Sequence, residues 1–385
     1  MGDFSSSNDL PKDLMMEILL NLPVKSLLRF KSVCKSWYAL INSNKFITMH
    51  LDRSRRNNKE SILIKRFNSE SSQSKASLSM ISHNDSSCSG VDVYLGILGN
   101  SSVYDLELSA NCDGIIFYSN YSQGYSVLCN LATRETILVP DTSSGNDSSY
   151  LYSVAFGYDL KNHRYKAVRI TKSRRDNDRR TSMVRMSYNV EVYTLGTYSW
   201  RQVNNGKLNS LNSRQISAPH GSFYFNGAIH WKGFPERPDS NDIVIIVFNL
   251  SDEEFDIIPL PDDVKPFMHF LVWDRSFAVS HVTHRNHSLL DIFAMKEYGV
   301  KESWTKVFAI EIGHFIFVRP LAVWKNNEIV FEIMDDKDRI NFQLVTYNLK
   351  RQEFKKLQIL GPLLFKAYVY MESLVPIKSR GESIA

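Results

Sequence analysis

From Glu60 onward the sequence carries no amphipathic helix pattern, and one unit recurs along it. The unit is a Val/Ile/Tyr/Phe-rich strand, a polar turn and a second strand. It appears as VLCNLATRETILVP at 127–140, VEVYTLGTYSWRQV at 190–203, IVFNLSDEEFDIIPLP at 246–261, LDIFAMKEYGVKESWTKV at 290–307 and LVTYNLKRQEFKKLQI at 344–359. Ahead of most units runs a further apolar strand after a Gly, Asn or Asp turn: 114–117, 227–231, 277–281 and 328–332. The turns lie roughly 45–65 residues apart, the scale of one four-stranded propeller blade. One such sheet cannot bury both faces, whereas a closed ring of them can, and closure also removes long open edges. Five units are visible. Ser61–Lys65 and Tyr368–Ile377 are expected to pair as a sixth and close the ring. The Ser-rich stretch 68–90 reads as a long loop, with 77–82 able to pair as a strand.

Residues 9–49 have a different period. Leu14, Ile18 and Leu22 recur four apart, widened by Met15 and Leu19. Asp9 suits an N-cap, and Pro11 sits near the first turn, where a missing N–H costs little. Pro23 ends this helix and opens a second carrying Val24, Leu27, Leu28 and Phe30. Ser32 can cap a third, with Val33, Trp37, Leu40 and Ile41 inside. Three short helices make a module near the lower size limit for a self-sufficient core, so docking on a partner is expected. The expected division is a disordered N-terminus (1–8), the helical module (9–50), a charged linker (51–60), the propeller (61–377) and a tail (378–385).

Composition excludes several classes. The chain has 385 residues, 43% of them hydrophobic and 23% charged, which is ordinary for a globular protein. No run of about 18 apolar residues exists, so no membrane helix is expected. The four cysteines, Cys34, Cys88, Cys112 and Cys129, show no CxxC spacing, which argues against a zinc site or a disulfide framework and for a reducing, cytoplasmic setting. The net charge of +5 is too mild to indicate nucleic acid. Its distribution is uneven. Lys172, Arg174, Arg175, Arg179 and Arg180 form a basic stretch. Glu236, Asp239, Asp242, Asp252, Glu253, Glu254 and Asp256 belong to an acidic one. Either is a solvated loop or a steering surface for a partner of opposite charge. The basic stretch lacks the interleaved aromatics that nucleic acid would need.

Catalytic signatures are missing. There is no GxSxG, P-loop or Rossmann glycine pattern. His281, His284 and His287 are three apart but fall between strands without a Cys or carboxylate frame, so they read as loop histidines, not metal ligands. Trp200, Trp231, Trp273, Trp304 and Trp324 sit on the repeated strands and read as blade-packing residues. No cofactor is indicated.

The helical module resembles the plant F-box. LPKDLMMEILLNLPVKSLLRFKSVCKSWYALI at 10–41 carries the Leu10-Pro11 opening, the Leu22-Pro23-Val24 corner and the LLRFK-x-V-CKSW run. The rest resembles the kelch-like F-box-associated domain. AFGYDLKNHRYKAVRI at 155–170 is similar to that family's GFGYD…YKVVR element, and VEVYTLGTYSWRQV and GAIHW follow. MKEYGVKESWTKV at 295–307 is similar to S-locus F-box proteins, the pollen-side determinants of ribonuclease-based self-incompatibility.

The resemblance implies a multidomain α plus β chain: a three-helix F-box followed by an all-β kelch-like propeller of about six blades. It implies a non-catalytic substrate receptor of an SCF ubiquitin ligase, docking on a Skp-type adaptor that joins a cullin and a RING subunit. By that resemblance Leu10, Pro11, Leu14, Ile18, Leu22, Pro23, Val24, Leu27, Val33, Cys34 and Trp37 face the adaptor. Trp37 is equally readable as a core residue. The propeller loops would hold a target protein, in the S-locus reading a basic S-ribonuclease met by the acidic stretch in the pollen-tube cytosol. The competing readings are a general plant F-box receptor, a sugar-binding F-box protein and a propeller enzyme. The last would need converging acids or a metal that the sequence does not offer.

Overall fold

The computed structural model describes residues 11–57, 60–68, 75–81, 106–120, 125–140, 149–174, 186–204, 206–210, 214–216, 221–235, 243–264, 268–283, 289–313, 315–324, 328–361 and 366–378. The chain begins with four helices, not three: α1 (Lys12–Leu20), α2 (Val24–Phe30), α3 (Lys35–Ile41) and α4 (Asn44–Arg56). Pro11 stands at the N-cap of α1, and Asp9 lies outside the described residues. Cys34, not Ser32, precedes α3; the Ser32 hydroxyl instead donates to the Arg29 carbonyl at the end of α2 (2.7 Å). Helix α4 replaces most of the expected linker. Ser43 Oγ accepts from Phe46 N (3.2 Å), and Phe46, Ile47, His50, Leu51 and Ser54 form a buried face at helical spacing. Arg53, Arg55 and Arg56 sit in its last turn, where cations complement the helix dipole. Those arginines give the segment the charged composition of a connector although it is helical.

The strands follow as β1 (Ser61–Asn68) and β2 (Lys75–Ile81); β3 (Leu106–Cys112), β4 (Ile115–Asn120), β5 (Tyr125–Asn130) and β6 (Glu135–Val139); β7 (Ser149–Asp159), β8 (Arg164–Arg174), β9 (Met186–Thr194) and β10 (Trp200–Gln202). After the short α5 (Gly206–Ser210) come β11 (Arg214–Ile216), β12 (Phe223–Phe225), β13 (Ala228–Pro235), β14 (Val244–Asn249) and β15 (Glu254–Pro259). The last elements are β16 (Met268–Trp273), β17 (Ser276–Thr283), β18 (Leu289–Met295), β19 (Trp304–Glu311), β20 (Phe315–Trp324), β21 (Glu328–Asp335), β22 (Asp338–Asn348), β23 (Glu353–Gly361) and β24 (Lys366–Tyr370).

They form six antiparallel sheets, the blades of a propeller. Blade 1 is β3-β4-β5-β6, blade 2 β7-β8-β9-β10, blade 4 β16-β17-β18-β19 and blade 5 β20-β21-β22-β23. In blade 3 the inner strand is interrupted, because β11 and β12 pair with successive stretches of β13. Blade 6 is β24-β1-β2, which joins the two ends of the chain through pairs such as Leu63↔Tyr368. The expected closure is therefore present, but its last strand stops at Tyr370; residues 371–378 leave the sheet. Inner strands touch around the ring, β24 to β3, β3 to β7, β7 to β12, and β16 to β20 to β24. Phe223 and Phe270, with ring centroids 6.0 Å apart, join β12 to β16.

Four of the five tryptophans on the repeated strands reach a neighbouring blade or the segment beside it, and Trp273 packs within its own. Trp200 Nε1 donates to the Pro140 carbonyl (2.7 Å), from blade 2 to the segment after blade 1. Trp304 Nε1 donates to the Pro259 carbonyl (3.0 Å), from blade 4 to blade 3. Trp231, wholly buried, donates to Ser153 Oγ of blade 2 (3.0 Å). Trp324 reaches the Glu60 carbonyl at 3.5 Å, and Trp273 packs with Phe308.

Candidate functional site: two interaction surfaces

The helical module exposes more apolar surface than so small a unit normally leaves in water. Leu14 is 48% exposed, Ile18 47%, Val33 60% and Tyr38 58%. Leu14 and Ile18 lie one turn apart on α1, on the side away from the buried Leu19 and Leu20. Pro11, Pro23 and Cys34 are also exposed, and Leu22 is half-buried. Two expected contact residues belong elsewhere. Val24 and Leu27 are fully buried in the core with Leu19, Leu20, Ile41 and Phe46, and offer a partner no surface. Both fall on the inner side of α2, which packs against α3. Trp37 is half-buried with its ring edge-on to Phe30 at 5.3 Å, so its packing role is the one the geometry displays. Leu10 lies outside the described residues.

The module is not a loose appendage. Its buried residues share one core with Ile115, Phe117 and Leu128 of blade 1, Phe156 of blade 2, and Leu374, Val375 and Ile377 of the C-terminal segment. That segment is fastened to blade 1. Asn130 Nδ2 donates to the carbonyls of Ser373 (3.1 Å) and Val375 (2.9 Å), and Ile377 N donates to Glu135 Oε2 (2.9 Å). A charged joint completes the seat. Arg55 of α4 pairs with Asp113 at 2.5 Å, and Tyr165 donates its hydroxyl to the same carboxylate (3.0 Å). Burial, then the Asp113 charge, holds the Tyr165 phenol far above its ordinary range. Inside the module Arg53 bonds Glu17 at 2.7 Å, which holds that carboxyl below its usual value. His50 Nε2 donates to the Leu22 carbonyl (2.9 Å) and fixes the α1–α2 corner to α4.

The propeller places the acidic residues differently from the expectation. Asp252 pairs with Lys161 (2.6 Å), and Glu254 with Lys207 (3.3 Å). Glu253 takes both Lys166 (2.9 Å) and Arg201 (2.6 Å). Lys166 also holds Asp159, at 2.7 Å and fully buried. Burial alone would raise the Asp159 pKa, but bonds from Lys166, Ser251 and Asn162 outweigh it and keep the carboxyl well below its usual range. Lys161, Lys166 and Arg201 belong to blade 2, and Asp252 and Glu253 to the β14–β15 turn of blade 3. Glu253 thus ties two blades, while Asp252 and Glu254 stay on the surface, each already paired with a lysine. Asp256 Oδ1 accepts from Ile257 N (2.9 Å). Glu236, Asp239 and Asp242 lie outside the described residues.

Part of the basic stretch is likewise no solvated loop. Lys172 lies buried on β8, with its ammonium 5.6 Å from the Tyr188 ring centroid, while Arg175, Arg179 and Arg180 fall outside the described residues. His281 is no loop residue: it is buried on β17 and stacked on Phe293 at 5.8 Å, and His284 and His287 are not described. Among the described residues no group of three or more His, Cys, Asp or Glu side chains gathers as for a metal. No described helix is long and apolar enough to cross a membrane.

A helical module with exposed apolar residues, seated on a six-bladed propeller, is an architecture found among adaptor proteins. Known sequences place the chain among them. The F-box domain profile matches residues 7–48, and the F-box associated beta propeller domain profile matches residues 62–369. The chain belongs to the plant F-box proteins that carry an F-box associated β-propeller. F-box protein CPR1 of Arabidopsis thaliana is similar at 27% identity, with 95% of this chain and 88% of that protein covered. An F-box/kelch-repeat protein of the same plant is 26% identical over 83% of this chain and 84% of its own length. A further Arabidopsis F-box protein is 25% identical over 95% and 91%.

Proposed function

We propose that this chain is the substrate-recognition subunit of an SCF-type ubiquitin ligase. The helical module docks on a Skp-type adaptor, which brings a cullin and a RING subunit, and the propeller holds a target protein. Transfer then proceeds by proximity: the receptor raises the local concentration of a target lysine beside the conjugating enzyme and performs no bond chemistry itself. The assembly works in the cytosol. The observation that supports this most directly is the exposed Leu14 and Ile18 on a module that is otherwise seated rigidly on the propeller. Apolar side chains left in water by a helix whose other face is fully packed are what an obligate docking surface needs.

The test is co-expression of the full chain with a Skp-type adaptor, followed by co-purification. Leu14→Asp with Ile18→Asp is expected to abolish recovery of the adaptor while leaving the melting temperature within about 2 °C, because exposed substitutions away from packed features change stability little. Adaptor recovery undiminished by the double change would refute the docking role. The expected 9–50 boundary is a poor place to cut, since the helices share their core with the propeller.

The narrower reading, with basic secreted S-ribonucleases as targets in pollen tubes, rests on the 295–307 segment. Lys296, Glu297, Tyr298 and Gly299 of that segment are exposed on the β18–β19 turn of blade 4, a position open to a partner. Capture of pollen-tube proteins on the full chain tests it. Recovery of the adaptor without any ribonuclease would leave a general receptor with another target.

A further inference from the structure

The blades enclose an axial cavity of about 380 Å³. That lies within the range of small-molecule sites, roughly 300–1,000 Å³. Its wall is chemically one-sided. Lys232 from β13, His269 from β16, Arg319 from β20 and Lys366 from β24 line it, and no carboxylate does among the described lining residues. Four blades thus each turn one basic group toward the same space.

The arrangement is costly as it stands. Lys366 faces Lys65 directly across the β24–β1 ladder, where like charges destabilise a sheet. Burial, and then Lys65, lowers Lys366 to about 7; burial alone lowers Lys65 to about 8. Burial, and then Arg319, lowers Lys232 to about 8. Burial, then Lys232 and Arg319, holds His269 well below its ordinary value. Glu332 of β21 engages Arg319 at 2.6 Å from behind. Arg319 and Lys232 repel one another, and both repel a proton on His269. A packing role would have been served better by apolar side chains, which replace buried charge at little or no cost.

We propose that the axial cavity is a binding site for a small polyanion carrying two or more phosphate groups, held by Lys232, Arg319 and Lys366. The Arg319 guanidinium supplies a planar fork suited to phosphate oxygens, and the two ammonium groups supply point charges from opposite sides of the ring. Phe223, Phe270 and Tyr368 line the same cavity and give the ligand's non-phosphate part an aromatic wall. Such a ligand would add a link between blades 3, 5 and 6 at the axis.

The test is a titration of the full-length chain with tripolyphosphate, followed by calorimetry and thermal unfolding. A saturable heat and a melting temperature that climbs with concentration are expected, since a ligand bound only by the folded state stabilises it. Sodium sulfate at equal ionic strength is expected to give neither. Lys232→Met and Lys366→Met are each expected to weaken binding at least tenfold, and to raise the melting temperature without anion by removing repulsion. Lys207→Met, on the surface, is expected to bind like the original chain. No saturable binding by the unaltered chain would overturn the proposal, and that arm does not depend on any variant folding. Equal affinity in both cavity variants would overturn the site. Citrate binding as tightly as tripolyphosphate would overturn the phosphate class.

Discussion

Asn130, Asn249 and Asn348 do the same job in three blades. Each ends a strand, and its side-chain oxygen accepts from the two backbone N–H groups two and three residues on, at 2.8–3.2 Å. The residue four positions on, Arg134, Glu253 or Gln352, then takes a positive φ and turns the chain back. An Asx turn supplies acceptors to backbone donors that the tight reversal leaves without ladder partners. Asn348→Ala is expected to cost about 1–2 kcal/mol, read as a lower denaturant midpoint at unchanged m-value. Gly114 is constrained more severely. It has a φ of +78°, and a Cβ there would lie 2.6 Å from the Met371 carbonyl oxygen. Gly114→Ala is expected to destabilise by about 2 kcal/mol or more, because strain and displacement of the C-terminal segment add. A melting temperature unchanged by that substitution would disprove the close approach.

Between elements, the bonds that matter join one blade to the next. Lys166 on β8 holds Asp159 and Glu253, and Asp159 is wholly buried. Lys166→Met would strand that carboxylate and is expected to cost about 3–5 kcal/mol. The sign of the pH dependence follows. Asp159 has a folded pKa below its unfolded one, so its stabilisation is present above the ordinary carboxyl range and is lost as pH falls through and below it. The Lys166→Met variant should therefore lose part of the acid-induced destabilisation that the original shows between about pH 4 and pH 2, which acid titration of the melting temperature would reveal. Ser43→Ala, which removes the α4 cap, is expected to cost about 1 kcal/mol in the same assay.

Across the whole molecule, the axial lysines set the alkaline side of the stability profile. Lys366 at about 7 and Lys65 and Lys232 at about 8 all stand below the ordinary 10.5. Facing them are Arg319, bonded to Glu332, and His269. Between about pH 7 and pH 10 the unfolded chain binds protons that the folded chain does not, so unfolding free energy should rise with pH across that window. Denaturant titrations at pH 7 and pH 9 would show it, and a lower value at pH 9 would contradict it. Removal of residues 1–57 should also weaken the propeller by more than about 3 kcal/mol, because Leu374, Val375 and Ile377 would lose their cover.

The outer strands of the blades, their turns and the first three helices were legible in the sequence because they rest on local signals: apolar spacing of two or of about four, and Asn, Gly or Pro at the ends; the inner strands β3, β12, β16 and β20 were not read from it. The F-box surface was legible in part. The family resemblance named exposed Leu14 and Ile18 together with buried Val24 and Leu27, and the helical stripe could not separate them, because an apolar residue reads alike on either side of a small helix. Helix α4 was hidden by the charges on its outer face. What only the tertiary structure decided depends on residues far apart in the chain. Leu63 meets Tyr368 to close the ring, Lys161 meets Asp252 to cancel an acidic patch, and Asn130 fastens the segment that seats the helices. The ring also gathers Lys232, His269, Arg319 and Lys366, each ordinary in its own strand, around one cavity. Periodicity fixes which face of a strand is apolar, but ring closure decides which inner strands converge on the axis, and hence which side chains share one cavity.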